Sequence, residues 1–356
     1  MSDPMTTVTN YDALVKKYGN FMVPAMKVKV NDVEITKTIG IRITHMEVKL
    51  GLKDASSANF QIVGDYDLET SSFSSLIKKC IRLGYIISIE LGYGSDTTTV
   101  FYGYVSEISM NFSDVPSISV TALDVMRLLM NSNKANLRFE KKTYSEIVNE
   151  VMKKYKKVYK KLVMDPTTEK LDEVVQHESD YQFINGELVN KANREFFALA
   201  GNVYFRIPRK NAVPIMKLKW GKTLLNFNVT TSYCDEIIIV QGVDQEKKVK
   251  IEAKEKAKSD SKIVSLTTTP IQKIIVKPEL EDIKSAAILA KSEAEKRVAQ
   301  CRNGRGTTIG LPELVPGRFI SLDKLDSIIN SKVYLSSVSH SFGDGGFTTR
   351  FEIGGW

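Results

Sequence analysis

A mainly β chain with α insertions, built around two similar antiparallel β-barrel domains, is the fold class that the sequence predicts. Three observations predict it. Apolar and polar residues alternate over long stretches at both ends of the chain, the pattern of strands that bury one face. A block beginning at Gly84 is echoed, in the same order and at nearly constant spacing, by a block beginning at Gly317. Between the echoes the apolar period lengthens toward that of helices.

The first 24 residues read as an arm with a short helix near Tyr11 to Tyr18. Lys27 to Val30, a turn at Asn31-Asp32 and Val33 to Ile35 form a hairpin pattern. Ile39, Ile41 and Ile43 share one face, but Met46, Val48 and Leu50 share the other, a phase switch that a β-bulge near Thr44 would produce. Ala58, Phe60 and Ile62 alternate again, and a helix from Phe73 to Leu83 stops at Gly84. Tyr85 to Tyr93, a turn at Gly94-Ser95-Asp96, Val100 to Phe112 and Ser117 to Ala122 complete the first β-region.

From Leu123 to about Ala200 the pattern is mostly helical. Thr143-x-x-Glu146 and Ser179-x-x-Gln182 are capping boxes, and the second opens a helix predicted to run through Phe183 and Phe196 to Gly201. Strands return at Val203 to Ile207, Ile215 to Trp220, Leu225 to Val229 and Ile237 to Gly242. Residues 245–260 are too charged for core and read as a solvated linker or exposed insertion. A helix from Glu279 to Cys301 ends at Asn303-Gly304, and four strands follow: Thr307 to Leu311, Arg318 to Leu322, Val333 to Phe342 and Phe347 to Ile353.

The repeat aligns Gly84 to Ile89 with Gly317 to Leu322, and Tyr104 to Asp114 with Tyr334 to Asp344. Identical pairs include Gly84/Gly317, Ser88/Ser321, Tyr104/Tyr334, Ser109/Ser339, Phe112/Phe342 and Asp114/Asp344. In both copies a strand enters, turns and returns with small Ser residues alternating against apolar ones, so one face fills a core and the other stays slim.

Composition narrows function. The net charge of +8, from 50 basic and 42 acidic residues, is a mild imbalance. Much of it sits in Lys153, Lys154, Lys156, Lys157, Lys160 and Lys161, a local patch rather than the global field expected of a nucleic-acid or membrane binder. Cys80, Cys234 and Cys301 form no C-x-x-C pair and no zinc spacing, as expected of free thiols in a reducing compartment. No signal core opens the chain and no run nears the ~18 apolar residues of a membrane span, which predicts synthesis in the cytoplasm. His45, His177 and His340 form no metal-ligand spacing, and no G-x-S-x-G elbow or phosphate-binding loop is present. Glu178 and Asp180 sit beside a capping box, where helix-start electrostatics outweighs general acid–base work. No catalytic, cofactor or metal site is therefore assigned, and the chain is read as not an enzyme.

Three stretches resemble the baseplate hub family of contractile tails, namely phage late-control D proteins and the hub portion of valine-glycine repeat G proteins. They are Leu91-Gly92-Tyr93-Gly94 with Val100 to Val105, Gln176-His177-Glu178-Ser179-Asp180 through Ile184 with Ala200 to Phe205, and Asn303 to Gly306 through Pro316-Gly317 to Thr349. The resemblance implies a homotrimer that joins a hexameric tail tube, or its initiator protein, to a trimeric spike within a phage tail or tail-like particle. Baseplate wedge and tape measure proteins are further implied partners; nucleic acid is not. It places a first tube-like barrel at about 25–132, a mostly helical domain at 133–205, a second barrel at 206–244 with 305–356, and a charged insertion with a helix at 245–304. Many family members continue into an oligonucleotide-binding-fold domain and a β-helical spike; this sequence departs from that pattern by stopping at Trp356, which predicts a separate spike protein, as in the late-control D type, and no lysozyme-like segment is seen. Candidate interface residues are the hairpin tips Gly94, Ser95 and Asp96, and Gly343, Asp344, Gly345 and Gly346, because loops on a rigid scaffold carry recognition. Two rivals remain: a cell-wall-degrading enzyme delivered by such a machine, and a nucleic-acid-binding module using the basic run 153–161. A solvated helix end is the plainer account of that run.

Overall fold

Period-two burial dictates most of the architecture. The computed structural model describes residues 3–36, 41–64, 66–133, 136–244, 248–259, 263–277, 280, 282–326 and 331–354. The chain is mainly β and divides into two compact units, the first of residues 1–226 and 307–351, the second of 227–306 and 352–356.

In the first unit the alternating segments become one large antiparallel sheet. Met46, Val48 and Leu50 of Ile43–Gly51 are buried to 2 % exposure or less, beside Ala58, Phe60 and Ile62 of Ser57–Val63. The pairing of these strands shifts register between Ile43 and His45, the bulge that the phase switch predicted. Ser57–Val63 pairs with Ser117–Leu123, which pairs with the long strand Asp96–Asn111, which pairs with Ile86–Tyr93 and through it with Pro24–Val30. Asn31 and Asp32 both take positive φ in the tight turn after Val30.

The stretch between the two β-regions is mixed, not mostly helical. Helix Tyr144–Met152 forms as predicted, with both halves of the Thr143–Glu146 capping box in place and Ile147, Val148, Val151 and Met152 fully buried. The second helix is shorter than expected. A π-helical turn at Gln182–Leu188 runs into Val189–Ala192 and ends at Asn193 in the left-handed conformation, and Phe196 lies in the strand Glu195–Leu199. The reason is that Phe196 to Leu199 is a short, unbroken apolar run, which has no period to separate strand from helix. Asn202–Arg206 pairs with it and, in parallel, with Lys161–Met164, while Leu137–Lys142 pairs with Leu171–Gln176. The helix expected at Phe73 to Leu83 is likewise confined to Ser75–Cys80.

In the second unit the charged segment is a strand, not a linker. Val249–Lys258 pairs along its whole length with Asp235–Asp244, on whose other side Ile271–Val276 runs parallel. Ile251, Ala253 and Ala257 point inward while the lysines and glutamates between them face solvent, so the high charge masked a period-two pattern. The flanking 245–247 and 260 lie outside the described residues. Helix Ile283–Gln300 packs on this sheet through Ala286, Ala290 and Ala294, small residues at a spacing of four that let helix and sheet approach closely. Asp282 caps it by accepting from Lys284 and Ser285 N–H; Glu279, the expected start, lies outside the described residues. The predicted stop at Asn303-Gly304 is already inside the strand Arg302–Ile309.

Candidate functional site

The sequence echo is a structural repeat down to single hydrogen bonds. Gly84 and Gly317 take φ of +81° and +80°, a region that side chains with a Cβ rarely enter. Gly84 N–H donates to Val105 O at 2.8 Å and Val105 N–H to Tyr85 O at 2.9 Å; Gly317 N–H donates to Leu335 O and Leu335 N–H to Arg318 O, both at 2.9 Å. The registers agree as well: Ile86 faces Tyr104 as Phe319 faces Tyr334, and Ser88 faces Tyr102 as Ser321 faces Lys332.

The sheet order extends the repeat. Leu224–Thr231, Arg302–Ile309, Gly346–Ile353 and Lys332–Gly343 follow one another as neighbours, and then Ile43–Gly51, Ser57–Val63, Ser117–Leu123 and Asp96–Asn111 follow in the same sense. Two four-strand blocks therefore lie end to end. They join where Ser337 to Phe342 pairs antiparallel with Gly51 to Met46.

The predicted interface residues occupy two separate tips. Gly94 and Ser95 form a two-residue turn between Tyr93 and Asp96, and all three of Gly94, Ser95 and Asp96 are exposed. Asp344 and Gly345 are exposed at the turn between Gly343 and Gly346. Lys332–Gly343 and Asp96–Asn111 are four antiparallel steps apart and so run in the same direction. The first tip precedes one strand and the second follows the other, which puts them at opposite ends of the sheet.

The basic run begins at a helix end, as the plainer reading had it: Lys153 is the C-cap of Tyr144–Met152. It passes from Lys153–Tyr155, a tight helical turn, into the strand Lys161–Met164. Its lysines differ in their commitments. Lys154 Nζ lies 3.1 Å from both carboxylate oxygens of Asp180, which is 1 % exposed and also accepts from Tyr155 OH at 2.5 Å and Gln176 Nε2 at 2.7 Å. Burial and then the Asp180 carboxylate hold the Tyr155 phenol well above its ordinary range. The Asp180 side chain is thus spent on this cluster rather than on the start of its helix, while Ser179 Oγ accepts from Gln182 N–H at 3.3 Å. Lys160 lies over the Tyr102 ring at 4.6 Å, and Lys153, Lys156, Lys157 and Lys161 are exposed.

Sequence reasoning missed one buried polar cluster. Glu195 accepts from Arg206 Nε at 2.6 Å and from Tyr334 OH at 2.9 Å, and Arg206 Nη2 donates to Gly317 O at 2.6 Å. Nearby, Arg318 is fully buried and donates to the carbonyls of Pro4 and Thr7 at 2.9 Å, fastening the N-terminal arm. Burial pushes its guanidinium down to about 10. The signal available was the charged residue inside an apolar run, Glu195 before Phe196-Phe197 and Arg206 after Val203-Tyr204-Phe205. His45 and His177 are exposed; His340 is buried, with Nδ1 2.9 Å from Thr349 Oγ1.

Known structures share this fold at low identity. A 43 kDa tail protein of prophage MuSo2 from Shewanella oneidensis aligns over 93 % of this chain and 98 % of its own, with a TM-score of 0.66 and 15 % identity. A tail protein from Neisseria meningitidis aligns over 94 % and 97 %, at 0.68 and 13 %. An Escherichia coli component of the type VI secretion system, described as structurally similar to the T4 bacteriophage tail proteins gp27 and gp5, aligns over 93 % and 77 %, at 0.59 and 13 %. The likeness to tail hub proteins read in the sequence is therefore met by the fold. No curated protein sequence matches the chain. A family model does, over residues 21–344, and by that match the chain belongs to the Alg8 N-terminal domain family.

Proposed function

We propose that this protein is a structural baseplate hub of a contractile tail or injection system, in which three copies form the adaptor between a hexameric tail tube and a trimeric central spike. The observation that carries the reading is the pair of like four-strand blocks in one chain. Three copies present six such blocks, which satisfies a six-fold partner on one side while the assembly keeps three-fold symmetry for the other. On this reading each block, with its flanking strands, is the wall of a tube-like β-barrel, about 25–132 for the first and 206–244 with 305–356 for the second. The tips Gly94 to Asp96 and Gly343 to Gly346 then meet different partners, since they lie at opposite ends of the sheet; the tube or its initiator takes one and the spike the other. Wedge proteins and the tape measure protein contact the periphery. The work is geometric, and no residue is assigned to catalysis.

The test is solution mass by light scattering, alone and with the tube and spike proteins, together with negative-stain images. A three-fold ring with six similar lobes, formed alone or on addition of a partner, is the expected result. A monomer indifferent to both partners overturns the proposal.

A further inference from the structure

A cavity of about 520 Å³ lies within the first unit, where segments distant in sequence converge. The N-terminal arm forms one wall, the first residues of Asp96–Asn111 a second, the end of the basic run with Asn202 a third, and the loop around Glu313 a fourth. Arg318 holds the arm in place through the carbonyls of Pro4 and Thr7.

The wall carries charge that the fold leaves half satisfied. Glu313 is 8 % exposed. Its Oε1 accepts from Lys17 Nζ at 3.0 Å and from Tyr18 OH at 2.5 Å, so both donors share one oxygen. Its Oε2 is buried and has no hydrogen-bond partner among the described residues. A buried carboxylate oxygen without a donor is costly, and native proteins keep few of them. Burial and then the Glu313 charge hold the Tyr18 phenol well above its ordinary range, so it stays protonated and committed to Oε1.

A separate segment brings the opposite charge. Lys160 and Lys161 line the same cavity, and neither has an ion pair among the described residues; Lys160 Nζ lies over the Tyr102 ring at 4.6 Å. Of the three lysines that line it, Lys17 alone is within ion-pair distance of Glu313. Asn202 stands across the ladder from Lys161. It gives one N–H to Tyr204 OH at 3.2 Å, which leaves its second N–H and its carbonyl oxygen. Leu14 and Val163 add apolar surface.

We infer that this cavity binds a short zwitterionic peptide of about three residues, with its ammonium on Glu313 Oε2 and its carboxylate on Lys160 and Lys161. A simple anion would meet the buried Glu313 carboxylate, and a simple cation would meet the two lysines. A single amino acid has both charges but fills little of the space, whereas about three residues, at roughly 3.5 Å each, fill it. The peptide's amide groups match Asn202, and a central apolar side chain meets Leu14 and Val163. The inference does not depend on the hub proposal, and it gives two lysines of the basic run a role of their own.

The test is isothermal titration calorimetry on the full chain, with Ala-Leu-Ala as probe beside its N-acetylated and its C-amidated forms. Ala-Leu-Ala should bind with a dissociation constant of about 1 mM or below, and each capped form about tenfold or more weakly, since each loses one charge-assisted contact. Lys160 and Lys161 are both exposed, so the double variant Lys160→Ala, Lys161→Ala should fold. It should weaken the free peptide to the level of the amide and leave the amide unchanged. Glu313→Gln should weaken the free peptide to the level of the N-acetylated form; where that variant fails to fold, the lysine pair decides. No binding of Ala-Leu-Ala at about 10 mM, or equal binding of free and capped forms, overturns the proposal. Undiminished binding to the double lysine variant marks the contact as adventitious and overturns it as well.

Discussion

The strand Asp96–Asn111 and its echo Lys332–Gly343 begin in like settings and end in unlike ones. Tyr104 and Tyr334 are identical residues at matched register, yet Tyr334 is buried with its hydroxyl on Glu195, while Tyr104 is half-exposed. Further along, Met110 is 52 % exposed where its counterpart His340 is fully buried. The second copy has a neighbouring strand, Ile43–Gly51, and its Tyr334 lies on the buried Glu195–Arg206 pair; among the described residues the first has no strand in the corresponding position. One strand pattern therefore supports two fates, and what decides between them is which neighbours the same chain supplies. Among the described residues, copy one looks like copy two with a neighbour removed.

The largest expected effect comes from breaking the cluster of Glu195, Arg206 and Tyr334, which touches the second copy. Arg206→Met leaves the Glu195 carboxylate buried without its cation, which costs about 3–5 kcal/mol of folding stability. A milder cut in the first copy, Lys29→Met, removes one partner of the buried Glu90 at a site where the lysine is 32 % exposed and Thr97 Oγ1 still donates to the carboxylate at 2.8 Å. Water can replace it there, and the loss is about 1 kcal/mol or less. Denaturant titration of both variants checks the contrast; equal losses would mean that the buried cluster is not what distinguishes the copies.

The paired glycines give the next effect. Both positions need φ near +80°, so alanine at either costs roughly 1–2 kcal/mol in backbone strain. Around Gly84 an added Cβ meets nothing within 4 Å, whereas at Gly317 it meets Arg206 Nη2 at 3.0 Å and Phe197 Cζ at 3.1 Å. Gly317→Ala should therefore cost about 3 kcal/mol, adding overpacking to strain. A Gly84→Ala loss as large as that of Gly317→Ala would show that backbone strain alone sets both.

The repeat shows which features a sequence can carry. Gly84 and Gly317, the phase switch at Thr44 and the Thr143–Glu146 box were legible because each is a local pattern with a single physical meaning. The strand Val249–Lys258 was not, because its inward side chains are mostly alanine and its outward ones carry nearly all the charge. Phe196 to Leu199 was not either, since a run buried on both faces has no period. The Lys154–Asp180 and Arg206–Glu195 pairs join residues 26 and 11 positions apart, and only the fold says which charges meet. The hairpin tips were legible as turns, but their placement at opposite ends of the sheet follows from strand order, which alternation does not encode.

A third effect, read against pH, turns on the residue that differs most between the copies. His340 is fully buried beside Thr349 and the Phe347 ring, and burial pushes its imidazole down from 6.5 to about 3. The folded state thus holds it neutral, while the unfolded chain takes up a proton below about 6.5. The sign follows: its contribution is fully present above pH 6.5 and is lost as pH falls, at about 1.4 kcal/mol per unit, until the folded site also protonates near 3. Between pH 6.5 and 5.0 the loss from this one group is about 2 kcal/mol. His340→Met installs the residue found at Met110 and removes that proton, whatever its own effect on packing. Stability curves of the two proteins should converge, or cross, by about 2 kcal/mol over this interval, with carboxylate contributions cancelling in the difference. Parallel curves would mean that His340 reaches water in the folded protein, and that the second copy is as open at this point as the first.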